Sequence, residues 1–270
     1  MTQKAGPLIL GSTGCVGRAI ASVWPNDRPA LWQYRPGRRA PAEPSIEWMI
    51  VEDQPPAMAM ELSGIVLLAG GTDAAALQNS VALARSARDL AESLGVPLLF
   101  ASSQAVYDLQ AGVSDETSTC RPATDYGRTK RLVEMEIEGR ATIMRIGNIV
   151  GCDSLSRAAS KGSVSLDTFP DGSTPRRSYI SPIGLRDVIL ALLDRPDQAP
   201  ITLNVADPGT LQMSDLLSAA GRDWQAQPAP DAALKIFELD VSRLQEIIPR
   251  PNATAERLVA EARAAGWSPA

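Results

Sequence analysis

The stretch that most restricts the fold is a short apolar run, Pro7-Leu-Ile-Leu10, that ends in Gly11-Ser-Thr-Gly14-Cys-Val-Gly17. A helical pattern follows from Val16 to about Val23 and stops before Pro25. An apolar run of that length, closed by glycine, predicts a buried strand. Strand, glycine loop and helix in that order bring the backbone of a tight turn to the N-terminus of a helix. Unpaired N–H groups and the positive dipole end suit an anionic group there, such as a pyrophosphate. The same spacing also fits a plain strand-to-helix turn that binds nothing.

The rest of the chain repeats the alternation. Strands are expected at Ala30–Tyr34, Ile46–Val51, Gly64–Ala69, Pro97–Ala101 and Ala141–Ile146. Helices are expected at Ala74–Leu94, closed by Gly95, and from Tyr126 to about Glu138. A helix over Pro182–Leu193, a strand over Ile201–Val205 and helices over Met213–Ala220 and Ala253–Ala265 complete the pattern. Such alternation predicts an α/β fold, a doubly wound parallel sheet of Rossmann type covered on both faces. Residues 151–178 are rich in Ser, Gly and Asp, show little periodicity and read as a long mobile loop. The expected division is a dinucleotide-binding core over 1–150, rejoined by about 182–206. Residues 151–181 and 207–270 would form a small substrate-binding lobe.

Composition limits the chemistry. The chain has 270 residues, 44% of them apolar, and a formal net charge of -5, which argues against a nucleic-acid partner. No run approaches a membrane span. Residues Met1–Gly6 do not resemble a signal peptide, so a cytoplasmic location is expected. Cys15, Cys120 and Cys152 lack metal-like spacing and read as reduced thiols. There is no histidine. That excludes His-based triads and His-ligated metals, and no metal site is expected. Acid–base work falls to Tyr, Lys, Asp, Glu or Cys.

One candidate is Tyr126-Gly-Arg-Thr-Lys130. Residues four apart share a helix face. A lysine ammonium beside a phenol would draw its pKa down from about 10. A phenol tuned in this way can exchange a proton with an alcohol or carbonyl oxygen. The same five residues also fit a solvated helix face.

Together these motifs resemble the extended short-chain dehydrogenase/reductase superfamily, specifically its NAD-dependent epimerase/dehydratase family. The loop spacing G-x-x-G-x-x-G is similar to the family's. So are Leu67-Leu-Ala-Gly-Gly71 and Phe100-Ala-Ser-Ser-Gln-Ala-Val-Tyr107, and Asn79 sits where the family has a helix-four asparagine. Arg145-Ile-Gly-Asn148, Arg177-Ser-Tyr-Ile180, Asp240-Val-Ser-Arg243 and Gly266-Trp-Ser-Pro269 also match its habits. The resemblance implies a dinucleotide against Gly11, Ser12, Thr13, Gly14, Cys15, Val16 and Gly17, and against Leu68, Ala69 and Gly70. It implies catalysis by Ser103, Tyr126 and Lys130, with Tyr126 and Lys130 also touching the cofactor. Ser103 would hold the reacting oxygen, while Ser102 reads as a structural hydroxyl. Gln104, Asn148 and Arg177 would face the substrate, with Arg177 forking a diphosphate or lying as a surface charge.

NAD-preferring relatives place an acid about eighteen residues past the last glycine. Here that residue is Arg35, with Arg38 and Arg39 behind it. A basic residue there favours a 2′-phosphate, so NADP(H) is favoured over NAD(H). Asp53 would contact the adenine edge or cap a turn. Family dehydratases carry an Asp-Glu pair, and decarboxylases a Glu, where this chain has Gln104 and Ala105. What remains is hydride transfer at a carbonyl or alcohol carbon of a sugar or nucleotide sugar, as a keto-sugar reductase. The alternative is a nucleotide-sugar 4-epimerase with tightly held NAD. A third reading is a non-catalytic dinucleotide sensor, although such relatives lose the Tyr and Lys. Relatives also suggest a homodimer through the helices over 74–94 and 126–138, where Ala82, Ala84 and Ala87 would permit close packing.

Overall fold

The computed structural model describes residues 5–58, 60–70, 74–108 and 112–269. β1 (Gly6–Leu10) runs into α1 (Cys15–Ser22), followed by β2 (Leu31–Tyr34), β3 (Ser45–Glu47) and β4 (Leu62–Leu67). α2 (Ala74–Leu94) leads to β5 (Leu98–Ser103), a 3-10 turn (Gln104–Val106), β6 (Val113–Ser114), α3 (Asp125–Glu136) and β7 (Thr142–Ile146). Then come β8 (Asn148–Ile149), α4 (Ser154–Ala159), β9 (Val164–Thr168), β10 (Arg176–Arg177), β11 (Tyr179–Ile180), α5 (Pro182–Asp194) and β12 (Thr202–Val205). The rest holds β13 (Leu211–Gln212), α6 (Met213–Ala219), β14 (Trp224–Pro228), β15 (Ile236–Leu239), α7 (Ser242–Ile247) and α8 (Ala255–Ala264).

The main sheet has seven parallel strands in the order β12-β7-β5-β4-β1-β2-β3. Strand order reverses beside β1, so the crevice at the carboxyl ends of β1 and β4 is the topological switch point. β1 is buried along its whole length, as a strand covered on both faces must be. Ile9 packs with Trp32, Val66 and Met144 against Ile20, Leu185, Val188 and Ile189. Leu8 and Leu10 point to the other face, with Ile65 and Leu67, against Ala84, Ala87, Leu90, Val133 and Ile137. Ala84 and Ala87 of α2 are therefore spent on the chain's own core and not held at its surface. The Ser181 hydroxyl accepts the Gly184 N–H and Pro182 stands in the first turn, which fixes where α5 starts.

The expectation of a long loop over residues 151–178 is corrected. They contain α4, β9 and β10. Val164 and Leu166 of β9 are buried beside Val150, Leu155, Leu216, Leu217, Leu258 and Val259, which form a separate small core. β9 pairs in parallel with β14, and β10 is joined to β13 and β15. An ionic cluster ties this part to the sheet. Buried Asp207, just past β12, accepts from Arg250 Nε at 3.0 Å and from Arg257 at 2.6 Å.

The expectation of three reduced thiols is also corrected. Cys15 and Cys152 are joined in a disulfide, leaving Cys120 as the free cysteine. Their positions are 137 apart in sequence, so only the fold brings them together. No helix among the described residues is long and apolar enough to cross a membrane. Residues Met1–Lys4 and Gly71, used in the sequence reading, lie outside the described residues.

Candidate active site

The glycine loop is shaped by contacts that leave no room for side chains. Gly11 has φ +86°, and a Cβ there would come 2.6 Å from Ala69 N. A Cβ on Gly17 would meet Ser12 O at 2.5 Å. Gln33, a buried polar residue inside β2, holds the loop from beneath. Its Oε1 accepts the Gly11 N–H at 2.9 Å, and its Nε2 donates to Trp48 O at 2.7 Å. Ser12 Oγ donates to Gln33 O at 2.5 Å. Gln33 was missed from the sequence. Its signal was a glutamine placed inside an otherwise apolar strand.

The N-terminus of α1 has no side-chain cap, and its first backbone bond is from Arg18 N–H to Gly14 O. The N–H groups of Cys15, Val16 and Gly17 therefore have no acceptor among the described residues. Thr13 and Gly14 form the outer rim of the same turn, and Val16 packs against the core. A cradle that a Cβ would fill, ending in an uncapped helix, fits a dinucleotide pyrophosphate.

Ser103 ends β5. Its Oγ accepts the Ala105 N–H at 3.2 Å and lies near enough to the Tyr126 phenol to lower its pKa. α3 brings the tyrosine there. Thr124 caps the helix by accepting the Gly127 N–H at 3.1 Å. A Cβ on Gly127 would overlap Ala105 O. Only glycine lets the first turn of α3 reach the segment after Ser103, and the sequence did not reveal this need.

Lys130 lies one turn further along α3 and is buried. Its Nζ donates to Ala101 O at 2.7 Å, and lies 5.8 Å from the Tyr126 ring centroid and 4.8 Å from that of Phe100. Gly70, at φ +137°, passes so close that a Cβ would stand 3.0 Å from Nζ. With Leu68 and Ala69, this glycine forms the β4 wall opposite the glycine loop.

The expected lowering of the phenol pKa by Lys130 is not what the chain's own charges produce. Burial holds Tyr126 above its ordinary value, opposed by the Ser103 hydrogen bond and by the charge of Arg157. Lys130 is itself pulled down to about 8 by burial, against the charge of Glu134. Below pH 8 the cost of burying the ammonium is fully present. Between about 8 and the ordinary lysine value the unfolded chain holds more protons, so stability rises with pH. Lys130→Met is therefore expected to stabilise the cofactor-free chain at pH 7 by about 1–2 kcal/mol, after losing the bond to Ala101 O. It should also flatten the rise in stability above pH 8. Urea unfolding at pH 7 and 9.5 measures both, and a less stable variant at pH 7 would refute the expectation.

Gln104 and Asn148 meet in the cleft, with Gln104 Nε2 donating to Asn148 Oδ1 at 2.9 Å. Gln104 Oε1 is buried with no hydrogen-bond partner among the described residues, and the buried Tyr179 phenol is held near Asn148. An unsatisfied buried amide oxygen on the residue after Ser103 is a polar atom that a ligand could satisfy. The Arg177 guanidinium is partly buried and donates to the carbonyls of Arg176, Leu234 and Lys235. Burial lowers its pKa, and no carboxylate pairs with it among the described residues.

Other expectations land elsewhere. Asn79 is exposed, while its neighbour Ser80 lies buried beside Gly70. Ser102 is structural, donating to Glu134 at 2.5 Å. Arg145 belongs to the same interior cluster and does not face a ligand. Its Nη2 pairs with Glu134 at 2.9 Å and its Nη1 donates to Tyr107 Oη at 3.1 Å. Arg35, Arg38 and Arg39 are exposed just past β2. Arg38 and Arg39, with Tyr34, Glu43 and Ser45, line a surface cavity of about 460 Å³. Asp53 is exposed and takes part in the fold through its backbone, accepting from Trp48 Nε1 at 3.2 Å.

The model of the NAD dependent epimerase/dehydratase family matches residues 7–206. The chain belongs to this family. It is accordingly an enzyme of an NAD-dependent family. No curated protein matches it in sequence. Solved structures match the whole fold at low identity. A UDP-N-acetylglucosamine 4-epimerase from Methanobrevibacter ruminantium M1, in complex with UDP-N-acetylmuramic acid, has a TM-score of 0.77 at 15% identity. That match covers 99% of this chain and 98% of the other. A UDP-glucose 4-epimerase from Bifidobacterium longum, in complex with NAD+ and UDP, gives 0.75 at 14% identity over 97% and 98%. A short-chain dehydrogenase/reductase superfamily protein from Agrobacterium tumefaciens with bound NAD gives 0.68 at 17% identity, over 96% of each chain.

Proposed function

We propose that this family member moves hydride at a carbonyl or alcohol carbon of a sugar or nucleotide sugar, as a keto-sugar reductase with NADP(H) favoured. The nearness of Ser103 to the Tyr126 phenol, with the buried Lys130 one turn away on the same helix, is the observation that supports this reading. The bound dinucleotide would supply the hydride donor or acceptor. The chain's residues would do the rest. The N–H groups of Cys15, Val16 and Gly17 would hold the pyrophosphate. Lys130, between Gly70 and Ala101, would take the nicotinamide ribose. Ser103 would orient the reacting oxygen, and Tyr126 would give or take its proton. Gln104 and Asn148 would hydrogen-bond the sugar, and Arg177 would meet an anionic part of the substrate.

Arg35, Arg38 and Arg39, exposed and without a carboxylate partner among the described residues, support the NADP(H) preference. NADPH is expected to bind at least about tenfold tighter than NADH, a difference of about 1.4 kcal/mol. Titration of nicotinamide fluorescence tests it, and equal or reversed affinities would remove the cofactor preference. The second reading is a 4-epimerase, supported by the likeness in fold to the UDP-sugar 4-epimerases. It expects NAD to co-purify and epimers to interconvert without added cofactor. Protein that purifies without dinucleotide would count against it. A homodimer through α2 and α3 remains part of the proposal, with Leu132 and Met135 exposed on α3 to meet the partner.

A further inference from the structure

We propose that Cys15 and Cys152 are a reversible redox pair that controls exchange of the dinucleotide. The inference rests on the dinucleotide reading above. Cys15 is the first residue of α1, and its N–H belongs to the anion cradle. Cys152 lies four residues past Asn148, in the turn that opens the small lobe. The disulfide therefore ties the cradle end of the glycine loop to the turn after β8, which leads into the small lobe. The Cα atoms stand 5.7 Å apart, inside the range a disulfide spans without backbone movement.

Both anchors are firm. Cys15 is set by the close-packed glycine loop. The turn holding Cys152 is fixed by several bonds. Cys152 N–H donates to Ile149 O at 2.9 Å, Gly151 N–H to Ser156 Oγ at 2.8 Å, and Arg157 Nη1 to Cys152 O at 2.8 Å. A Cβ on Gly151 would press on Trp267 at 3.0 Å, so movement of this turn carries the C-terminal segment with it. With the bond closed, the loop over 11–17 and the segment over 148–153 cannot separate to pass a dinucleotide. With it open, they can.

Accessibility makes the bond reversible. Cys15 is exposed and Cys152 is nearly buried, so an outside thiol reaches the Cys15 sulfur first. Closure needs an oxidant, and an organic disulfide such as glutathione disulfide suffices. The Cys15 thiolate attacks it, a mixed disulfide forms, and one glutathione thiolate leaves. The Cys152 thiolate then displaces the second. One S–S bond replaces two S–H bonds. The protein loses two electrons, the glutathione disulfide gains them, and the two protons pass to the glutathione thiolates.

The test uses the full chain, treated with glutathione disulfide or with a phosphine reductant. Alkylation under denaturing conditions should label one cysteine, Cys120, in the oxidised form and three in the reduced form. Each form is loaded with NADH, or with NADPH if that binds tighter, and chased with excess oxidised dinucleotide in a stopped-flow fluorimeter. Release is expected to be at least about tenfold slower from the oxidised form. Cys152→Ser, with Cys152→Ala as a second variant should the hydroxyl disturb the fold, is expected to release at the fast rate under both treatments. Equal rates from forms shown by alkylation to differ would overturn the redox pair alone. So would three labelled cysteines after oxidation, or a bond that resists the reductant in the folded chain. Binding of neither NADH nor NADPH by either form would overturn the dinucleotide reading and this inference with it.

Discussion

Tyr126→Phe is expected to lower kcat by about 10²- to 10⁴-fold, the usual contribution of a positioned acid–base group. Dinucleotide affinity should stay within about twofold, because the proposed cradle is backbone at Cys15, Val16 and Gly17 and the ring is kept. Removal of the buried hydroxyl should change stability by no more than about 1 kcal/mol. These three readouts separate roles. A general acid–base loses kcat, a binding residue loses affinity, and a structural residue loses stability. The pH profile adds a fourth. Burial holds the phenol above its ordinary pKa, and Arg157 and Ser103 oppose that rise. Arg157→Ala should therefore move the alkaline limb of kcat to higher pH while Tyr126→Phe removes it. Activity retained in Tyr126→Phe would sink the catalytic assignment of this tyrosine, whereas an unchanged biological phenotype in a variant without activity would favour a dinucleotide-sensing protein.

Much of the frame around Tyr126 was legible because it lies in long periodic elements. β1, β4, β5 and β7 lie inside the sheet and are read from the apolar stretches Pro7–Leu10, Ile65–Leu67, Leu98–Ala101 and Ile143–Met144. The glycine loop declared itself by following one of them. What lay beyond reach was set by tertiary neighbours. Gly127 reads as an unfavourable residue in a helix until the fold brings Ala105 O against it. Arg145 reads only as part of a family motif until Glu134 and Tyr107 are seen to claim it inside the protein. The two-residue strands β8, β10 and β11 are too short to show any period. β9 is different. Its buried Val164 and Leu166 alternate with Ser165 and Asp167, a period-two signal present in the sequence but passed over within a polar segment. The Cys15–Cys152 pairing had no local signal at all.

Glu134→Ala is expected to cost about 3–5 kcal/mol, the toll of leaving a buried charge without its partner. Glu134 is fully buried and accepts from Ser102, Arg131 and both Nε and Nη2 of Arg145. Arg145 is 4% exposed and has no second carboxylate within ion-pair distance among the described residues. Its guanidinium would keep its charge, since even burial does not bring arginine into the range where it deprotonates. A domain of ordinary stability holds only about 5–15 kcal/mol in reserve, so the variant should sit near its unfolding midpoint at growth temperature. Replacing both partners by apolar groups, as Glu134→Leu with Arg145→Met, should cost clearly less than the sum of the single changes. Urea unfolding of the two single variants and the double variant measures the coupling, and additivity would mean the pair is not a unit. The same carboxylate is the charge that supports the Lys130 ammonium one turn earlier on α3. The milder Glu134→Gln should therefore lower the Lys130 pKa below about 8, leaving more of it neutral near pH 7. Catalysis should then lose rate at neutral pH even where the fold survives, linking the buried pair to the proposed site through a single helical turn.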